Sequence, residues 1–153
     1  MVEVGERAPD FTLKNQDDIY VSLSDFKGKK VVIFFYPKDM TSGCTKEACS
    51  FKNSYNEIKE QNIIVLGVSQ DNPDSHQKFI EKEELPFTLL CDEEAEVAKT
   101  YGAYGAKAPG KKTAQGILRK TFLVAENGEI AFIFDEVDPE FHAEEVLDVW
   151  NTL

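Results

Sequence analysis

Only three cysteines occur in 153 residues, an odd number with no framework spacing. That excludes a disulfide-stapled scaffold and favours a reducing compartment, where a close cysteine pair serves catalysis or metal binding more often than structure. Basic residues are also scarce, with Lys+Arg 17 against Asp+Glu 28 and a net charge of -11. Phosphate contacts need clustered cations, so neither nucleic acid nor an anionic membrane surface is an expected partner. The acidity has a plain use in keeping a small domain soluble. No apolar run is long enough to cross a bilayer, the longest being "VVIFFY". The N-terminal "MVEVGERAPDF" has no apolar core and carries two early glutamates. Neither a secretory signal nor an Arg-rich transit peptide is expected from it. There is no repeat, no low-complexity tract and no linker. A single domain over 1–153 follows, and the hydrophobic share of 42% is enough to build its core.

What the chain does contain is an ordered alternation of strand and helix signals. "FTLKNQDDIYVSL" reads as a hairpin of two short runs about a polar turn. Ser24 is placed to cap a helical turn before "KGKK". "VVIFFY" (31–36) is a continuous run of β-branched and aromatic residues, as in a strand covered on both faces. Ala48, Phe51, Tyr55 and Ile58 then recur at intervals of three and four, marking one face of a helix that starts near Cys44. "IIVLGVS" (63–69) and "FTLLC" (87–91) are further strands. Asn72-Pro73 opens a helix with proline at its first position, and His76, Phe79 and Ile80 share its inner side. Asp92 caps a short helix carrying Val97, Ala98 and Tyr101. Residues 102–116, with four glycines and a proline, read as the one long loop. After it, "ILRKTFLVAENGEIAFIFD" is a hairpin with Asn127-Gly128 at a two-residue primed turn. Asp138-Pro139 opens a last helix that buries Val146, Val149 and Trp150. Such an order predicts an α/β fold with a mixed central β-sheet flanked by helices and an N-terminal β-hairpin extension. A reactive cysteine after an inner strand makes the arrangement thioredoxin-like.

The chemistry concentrates in "PKDMTSGCTKEACSF", residues 37–51. Cys44 falls where a buried strand passes into the first turn of a helix. Unpaired backbone N–H groups and the positive end of the helix dipole both favour thiolate there. Thr41 brings a hydroxyl three residues earlier, Gly43 lets backbone approach a small ligand closely, and Pro37 fixes the strand exit and screens one side. The bland alternative, Cys44 as a small core residue, fits poorly with polar neighbours on both sides. Cys49 sits five residues on. In an ideal helix that separation puts the two Cα atoms ~8–9 Å apart, on faces roughly 140° apart. A disulfide needs about 4.4–6.8 Å. The two therefore never pair, or the helix unwinds locally to let them. Zinc is a weak alternative, because the spacing is not C-x2-C and only His76 and His142 offer imidazole. No metal or other cofactor is expected.

The stretch "FYPKDMTSGCTKEAC" closely resembles the active-site segment of peroxiredoxins, in particular the peroxiredoxin Q or bacterioferritin comigratory protein branch. The likeness runs through "GERAPDFTL", "GVSQDNPDSHQKF", "LPFTLLCDEEAEVAKTYGA" and "RKTFLVAENGEI". It implies a thioredoxin-like fold and a thiol-dependent peroxidase. It implies Cys44 as the peroxidatic cysteine and Thr41 as hydrogen-bonding peroxide and sulfur. Pro37 shields the pocket, Arg119 stands beside the sulfur, and Cys49 resolves the sulfenic acid as an intramolecular disulfide. It further implies peroxide as substrate, thioredoxin or a similar protein dithiol as reductant, a monomer, and a cytoplasmic location. Ser42 stands where many relatives have proline, which loosens the loop. Cys91 is a buried strand residue, a second thiol near the surface, or a rival resolving group. Taken alone, Arg119 reads as a strand-edge arginine paired to a carboxylate. Glu47 reads as an orienting residue for Arg119 or a helix cap. Lys107, Lys111 and Lys112 read as a solvated patch, or more weakly as a dock for an acidic reductase. Phe87, Phe122 and Tyr104 read as core and pocket wall. His76 and His142 fit no nucleophile–base pattern. Two other functions stand beside the peroxidase: a thiol–disulfide oxidoreductase, which usually needs the C-x-x-C this chain lacks, and a redox-switched holdase.

Overall fold

The computed structural model describes residues 2–106 and 115–153. The N-terminal hairpin pairs β1 (Thr12–Asn15) with β2 (Tyr20–Ser22). A 3-10 turn (Leu23–Phe26) leads into β3 (Lys30–Phe35), which is followed by α1 (Ser42–Asn53) and α2 (Tyr55–Glu60). Next come β4 (Ile63–Ser69), α3 (Pro73–Glu83), β5 (Thr88–Cys91) and α4 (Glu96–Tyr101). A small ribbon, β6 (Tyr104–Ala106) with β7 (Gln115–Ile117), precedes β8 (Lys120–Val124), β9 (Ile130–Phe134) and α5 (His142–Thr152). The main sheet runs β2-β1-β5-β4-β3-β8-β9. Its centre, β3, β4 and β5, is parallel, and its outer pairs are antiparallel. The mixed, thioredoxin-like α/β sheet is therefore as expected, and the hairpin extends its edge through β1 and β5. No helix among the described residues is long and apolar enough to cross a membrane.

Strand β3 explains the core. Val31, Ile33 and Phe35 face one apolar cluster, with Ala98 and Tyr101 of α4; Val32, Phe34 and Tyr36 face the other, with residues of α1, α2, α3 and α5. Alternation on a strand buried on both faces is what its unbroken apolar run requires. Phe34 stacks on Phe51 of α1, with ring centroids 4.8 Å apart. The ring fits because Gly67 lies opposite in the parallel register: a Cβ there would come within 2.7 Å of both Phe34 and Leu89 side chains. Burying Phe51 completely contributes about 1.5–3 kcal/mol and fixes α1, with the cysteines it carries, over the sheet.

The local expectations are met in part. Asn72 caps α3 by accepting the Ser75 N–H at 2.9 Å, with Pro73 at the first position. Asp92 accepts the N–H groups of Val97 and Ala98 at the start of α4. The stripe from Ala48 to Ile58 is interrupted, because Ser54 adopts φ -101 and ψ 9 and divides α1 from α2. Ser22, not Ser24, precedes the 3-10 turn, and its N–H is held by Asp25 at 2.9 Å. The Asn127-Gly128 hairpin is also different. Only Gly128 of the pair has positive φ, at 85, so the connection is a turn closed by Gly128 N–H to Ala125 carbonyl, next to a register shift between Leu123 and Val124. A left-handed glycine following an ordinary turn gives a longer connection than the primed turn expected. The last helix starts at His142; Asp138 accepts the Glu140 N–H and holds Pro139 in a turn before it. The long loop at 102–116 starts and ends in the paired strands β6 and β7. Lys107, Lys111 and Lys112 lie outside the described residues.

Candidate active site

The site is assembled where β3 ends. Tyr36 continues the strand, its N–H bonded to the Val68 carbonyl. Half-buried Pro37 follows, then the turn through Met40, held at φ 63. Thr41 is the cap residue of α1, and its carbonyl accepts the Thr45 N–H at 2.8 Å. Its side chain is exposed and donates to the Lys38 carbonyl at 2.9 Å, so this hydroxyl is turned away from hydrogen bonding the sulfur.

Cys44 is the third residue of α1 and only 1% exposed, within the cluster that holds Tyr36, Ala48 and Phe51. A more open sulfur was expected from its polar neighbours along the chain. The apolar side of α1 takes it inward instead. The guanidinium of Arg119 nevertheless reaches it, Nη2 donating to Sγ at 3.4 Å. Nη1 of the same group donates to Glu47 Oε1 at 2.7 Å. Arg119 thus has the carboxylate partner read for it and the sulfur as well, and it stands between β7 and β8 rather than on a strand edge. Antiparallel pairing sets Lys120 opposite Phe35, so Arg119 arrives beside the exit of β3 across 75 residues of chain.

Gly43 has a use that its place in the sequence did not disclose. A Cβ there would lie 3.0 Å from Arg119 Nη2, so glycine leaves room for the guanidinium. Glu47 is wholly buried, and burial pushes its carboxyl up to about 7 although Arg119 pulls it down. Of its two expected roles, reaching Arg119 is the one realised. Among the described residues its Oε2 has no hydrogen-bond partner, and it lies 4.0 Å from His142 Nε2. Burial works against the charge of Arg119, but Glu47 and Cys44 outweigh it and raise its pKa. Burial lowers the pKa of His142 although Glu145 pulls it up; Nε2 meets the Thr121 hydroxyl at 2.8 Å and Nδ1 meets Glu145 at 2.9 Å.

All three cysteines are free. Cys49 is half-buried and faces α3, its thiol donating to Glu83 Oε1 at 3.5 Å. Burial, and then the Glu83 carboxylate, raise its pKa. Cys91 is 6% exposed at the end of β5, as a buried strand residue. Phe87 and Phe122 are core, and Tyr104 is half-buried with Lys99 over its ring.

Sequence reading missed the clamp behind the loop. Asp39 is 3% exposed and accepts from Tyr36 OH at 2.5 Å and Ser75 Oγ at 2.8 Å. It also meets His76 Nδ1 at 2.7 Å, and its own N–H goes to Asp71 at 2.8 Å. His76 Nε2 faces the Leu90 carbonyl at 2.9 Å. A carbonyl only accepts, so with the carboxylate ionised both ring nitrogens donate and His76 is an imidazolium. Burial opposes that charge, but the hydrogen bond to Asp39 and its neighbours push the pKa up to about 10. Ligand atoms of Asp39, Asp71 and His76 lie within 4.8 Å of one another. Those of Asp39 and His76 are taken up by hydrogen bonds, which ties residues 36–39 to α3. The available signal was an aspartate two residues after Pro37, at the exit of an apolar strand.

A buried sulfur hydrogen-bonded to a half-buried guanidinium, at a helix start on a thioredoxin-like sheet, is the chemistry of thiol-based redox enzymes. The family model described as AhpC/TSA family matches residues 4–133. A putative peroxiredoxin bcp of Haemophilus influenzae is 45% identical over 152 residues, 99% of this chain and 98% of the relative. Peroxiredoxin Bcp of Escherichia coli is 42% identical over 147 residues, 96% and 94% of the two chains. Among solved structures, a Xylella fastidiosa PrxQ mutant superposes with TM-score 0.92 at 29% identity, covering 99% of this chain and 97% of its own. The chain belongs to the AhpC/TSA family, in its peroxiredoxin Q or bacterioferritin comigratory protein branch. It is a thiol-dependent peroxidase, taking peroxide as substrate and a thiol as reductant.

Proposed function

We propose that Cys44 is the peroxidatic cysteine and Cys49 its resolving partner, within a single domain spanning residues 1–153. The observation that carries this is the Arg119 fork, one nitrogen on Cys44 Sγ at 3.4 Å and the other on buried Glu47 at 2.7 Å. A cation held beside a sulfur favours thiolate and stabilises the oxyanion that develops as the O–O bond breaks. The Cys44 thiolate attacks one peroxide oxygen, and the other leaves as hydroxide or alkoxide. Thr41, whose hydroxyl turns from the Lys38 carbonyl to the substrate, and the Cys44 backbone N–H assist. Gly43 lets the backbone come close to the peroxide and Pro37 shields the pocket. The product is a sulfenic acid at Cys44.

Cys49 then attacks that sulfur. Because the two stand five helical positions apart, the first turns of α1 unwind to let the disulfide form. Thioredoxin or a similar protein dithiol restores both thiols by exchange. The Xanthomonas campestris bacterioferritin comigratory protein, 28% identical with TM-score 0.90 over 98% of each chain, is described with alkyl peroxide reduction activity. We extend organic hydroperoxides, beside hydrogen peroxide, to this enzyme. We read it as a cytoplasmic monomer. Thiol counting tests the assignment. Slight excess of hydrogen peroxide removes two thiols within seconds, and Cys44→Ser abolishes the loss. Cys49→Ser accumulates a sulfenic acid trapped by a dimedone-type reagent. Thiols that survive peroxide yet exchange quickly with oxidised protein dithiols would overturn it in favour of an oxidoreductase.

A further inference from the structure

The residue that faces Cys49 belongs to a helix that the peroxide chemistry does not use. We propose that Glu83 is a positioning residue for the resolving step, its carboxylate latching the Cys49 thiol to the end of α3 and slowing disulfide formation. The proposal rests on the reading of Cys49 as resolving cysteine and names what regulates it.

Three observations carry it. The Cys49 thiol, half-buried, donates to Glu83 Oε1 at 3.5 Å, across 34 residues of chain. That contact joins α1 to α3, and on the helix it lies on a different side from Cys44. Glu83 is also the last residue of α3, where a carboxylate meets the negative end of the helix dipole. Helix stability favours a cation there, as Lys82 supplies, so the acid at 83 has no local explanation. Finally, α3 is itself anchored: Asn72 caps it, and Ser75 and His76 are tied to Asp39. The latch is therefore fastened to a fixed element.

Resolution must break this contact twice over. Winding of α1 has to open, which pulls Cys49 from α3, and the thiol has to lose its proton. The step is Cys44–SOH plus Cys49–SH giving the disulfide and water. The S–S bond forms, the S–O bond of Cys44 breaks, and its hydroxyl leaves with the proton from Cys49. Peroxide has already supplied the oxidising equivalent, and Glu83 is unchanged at the end. The negative carboxylate disfavours the Cys49 thiolate, and Lys52 on the same helix acts in the opposite sense; among the described residues these are the charged groups that bear on it. One hydrogen bond corresponds to about a 2- to 10-fold effect.

Glu83→Gln is the test, with thermal melting to confirm that it folds. One equivalent of hydrogen peroxide is added, samples are quenched by alkylation over time, and sulfenic acid and disulfide are separated by mass spectrometry. At pH 7 the variant is expected to form the disulfide about 3- to 10-fold faster, with its rate–pH midpoint moved down. In a Cys44→Ser background, iodoacetamide labelling of Cys49 against pH should show the same downward move. Unchanged labelling, or slower resolution in Glu83→Gln, overturns the latch. Failure of the underlying assignment reads differently: the unaltered enzyme then gives no Cys44–Cys49 disulfide at all.

Discussion

His76 offers the sharpest physical test. It is buried, doubly hydrogen-bonded to acceptors, and charged to about pH 10, while an unfolded histidine loses its proton near 6.5. A pKa raised on folding contributes stability that is complete below 6.5 and is lost as pH rises through about 10. Between those values the folded state holds one more proton, so stability falls by about 1.4 kcal/mol per pH unit. From pH 7.5 to 9 the loss is roughly 2 kcal/mol. His76→Gln removes that dependence. It also strands Asp39, which retains the Tyr36 and Ser75 hydroxyls but loses its cation, at a cost of about 3–5 kcal/mol at neutral pH. Urea unfolding at pH 7.5, 8 and 9, under reducing conditions, measures both quantities. The difference between the two proteins should shrink as pH rises, because the unaltered chain loses what the variant lacks. A difference that stays constant across this range would refute the imidazolium, and a neutral-pH loss under 1 kcal/mol would refute the clamp.

Arg119→Met should lower the second-order rate with hydrogen peroxide by about 10²–10³, the usual loss on removing one oxyanion donor. Stopped-flow competition measures it, and a loss under threefold would remove Arg119 from the chemistry. Gly43→Ala puts a Cβ 3.0 Å from Arg119 Nη2 and should cost about tenfold in the same rate by displacing the fork. If the rate is kept, the guanidinium adapts and the glycine has another purpose.

Much of the framework was legible because it is written in short-range pattern. Residues 31–36 make the central strand, Asn72-Pro73 starts α3, and Pro37, Thr41 and Cys44 stand at the strand-to-helix passage. Misreadings fall where a few backbone angles decide: Ser54 breaking a continuous stripe, Gly128 alone taking the left-handed region, and Asp138 holding a turn ahead of α5. The inward turn of Cys44 was also hidden, since polar sequence neighbours do not reveal which side of a helix a residue faces.

Taken alone, the sequence determined the alternation of strands and helices, a sheet covered on both faces, and a cysteine at a helix start. These follow from periodicity and capping, which act over a few residues. Tertiary structure alone decided that Arg119 bridges Cys44 and Glu47, that Glu83 holds Cys49, and that His76 neutralises Asp39. Each of these joins groups 34 to 75 residues apart, set by strand register and by which helix lies against which, and no local preference encodes such a distance.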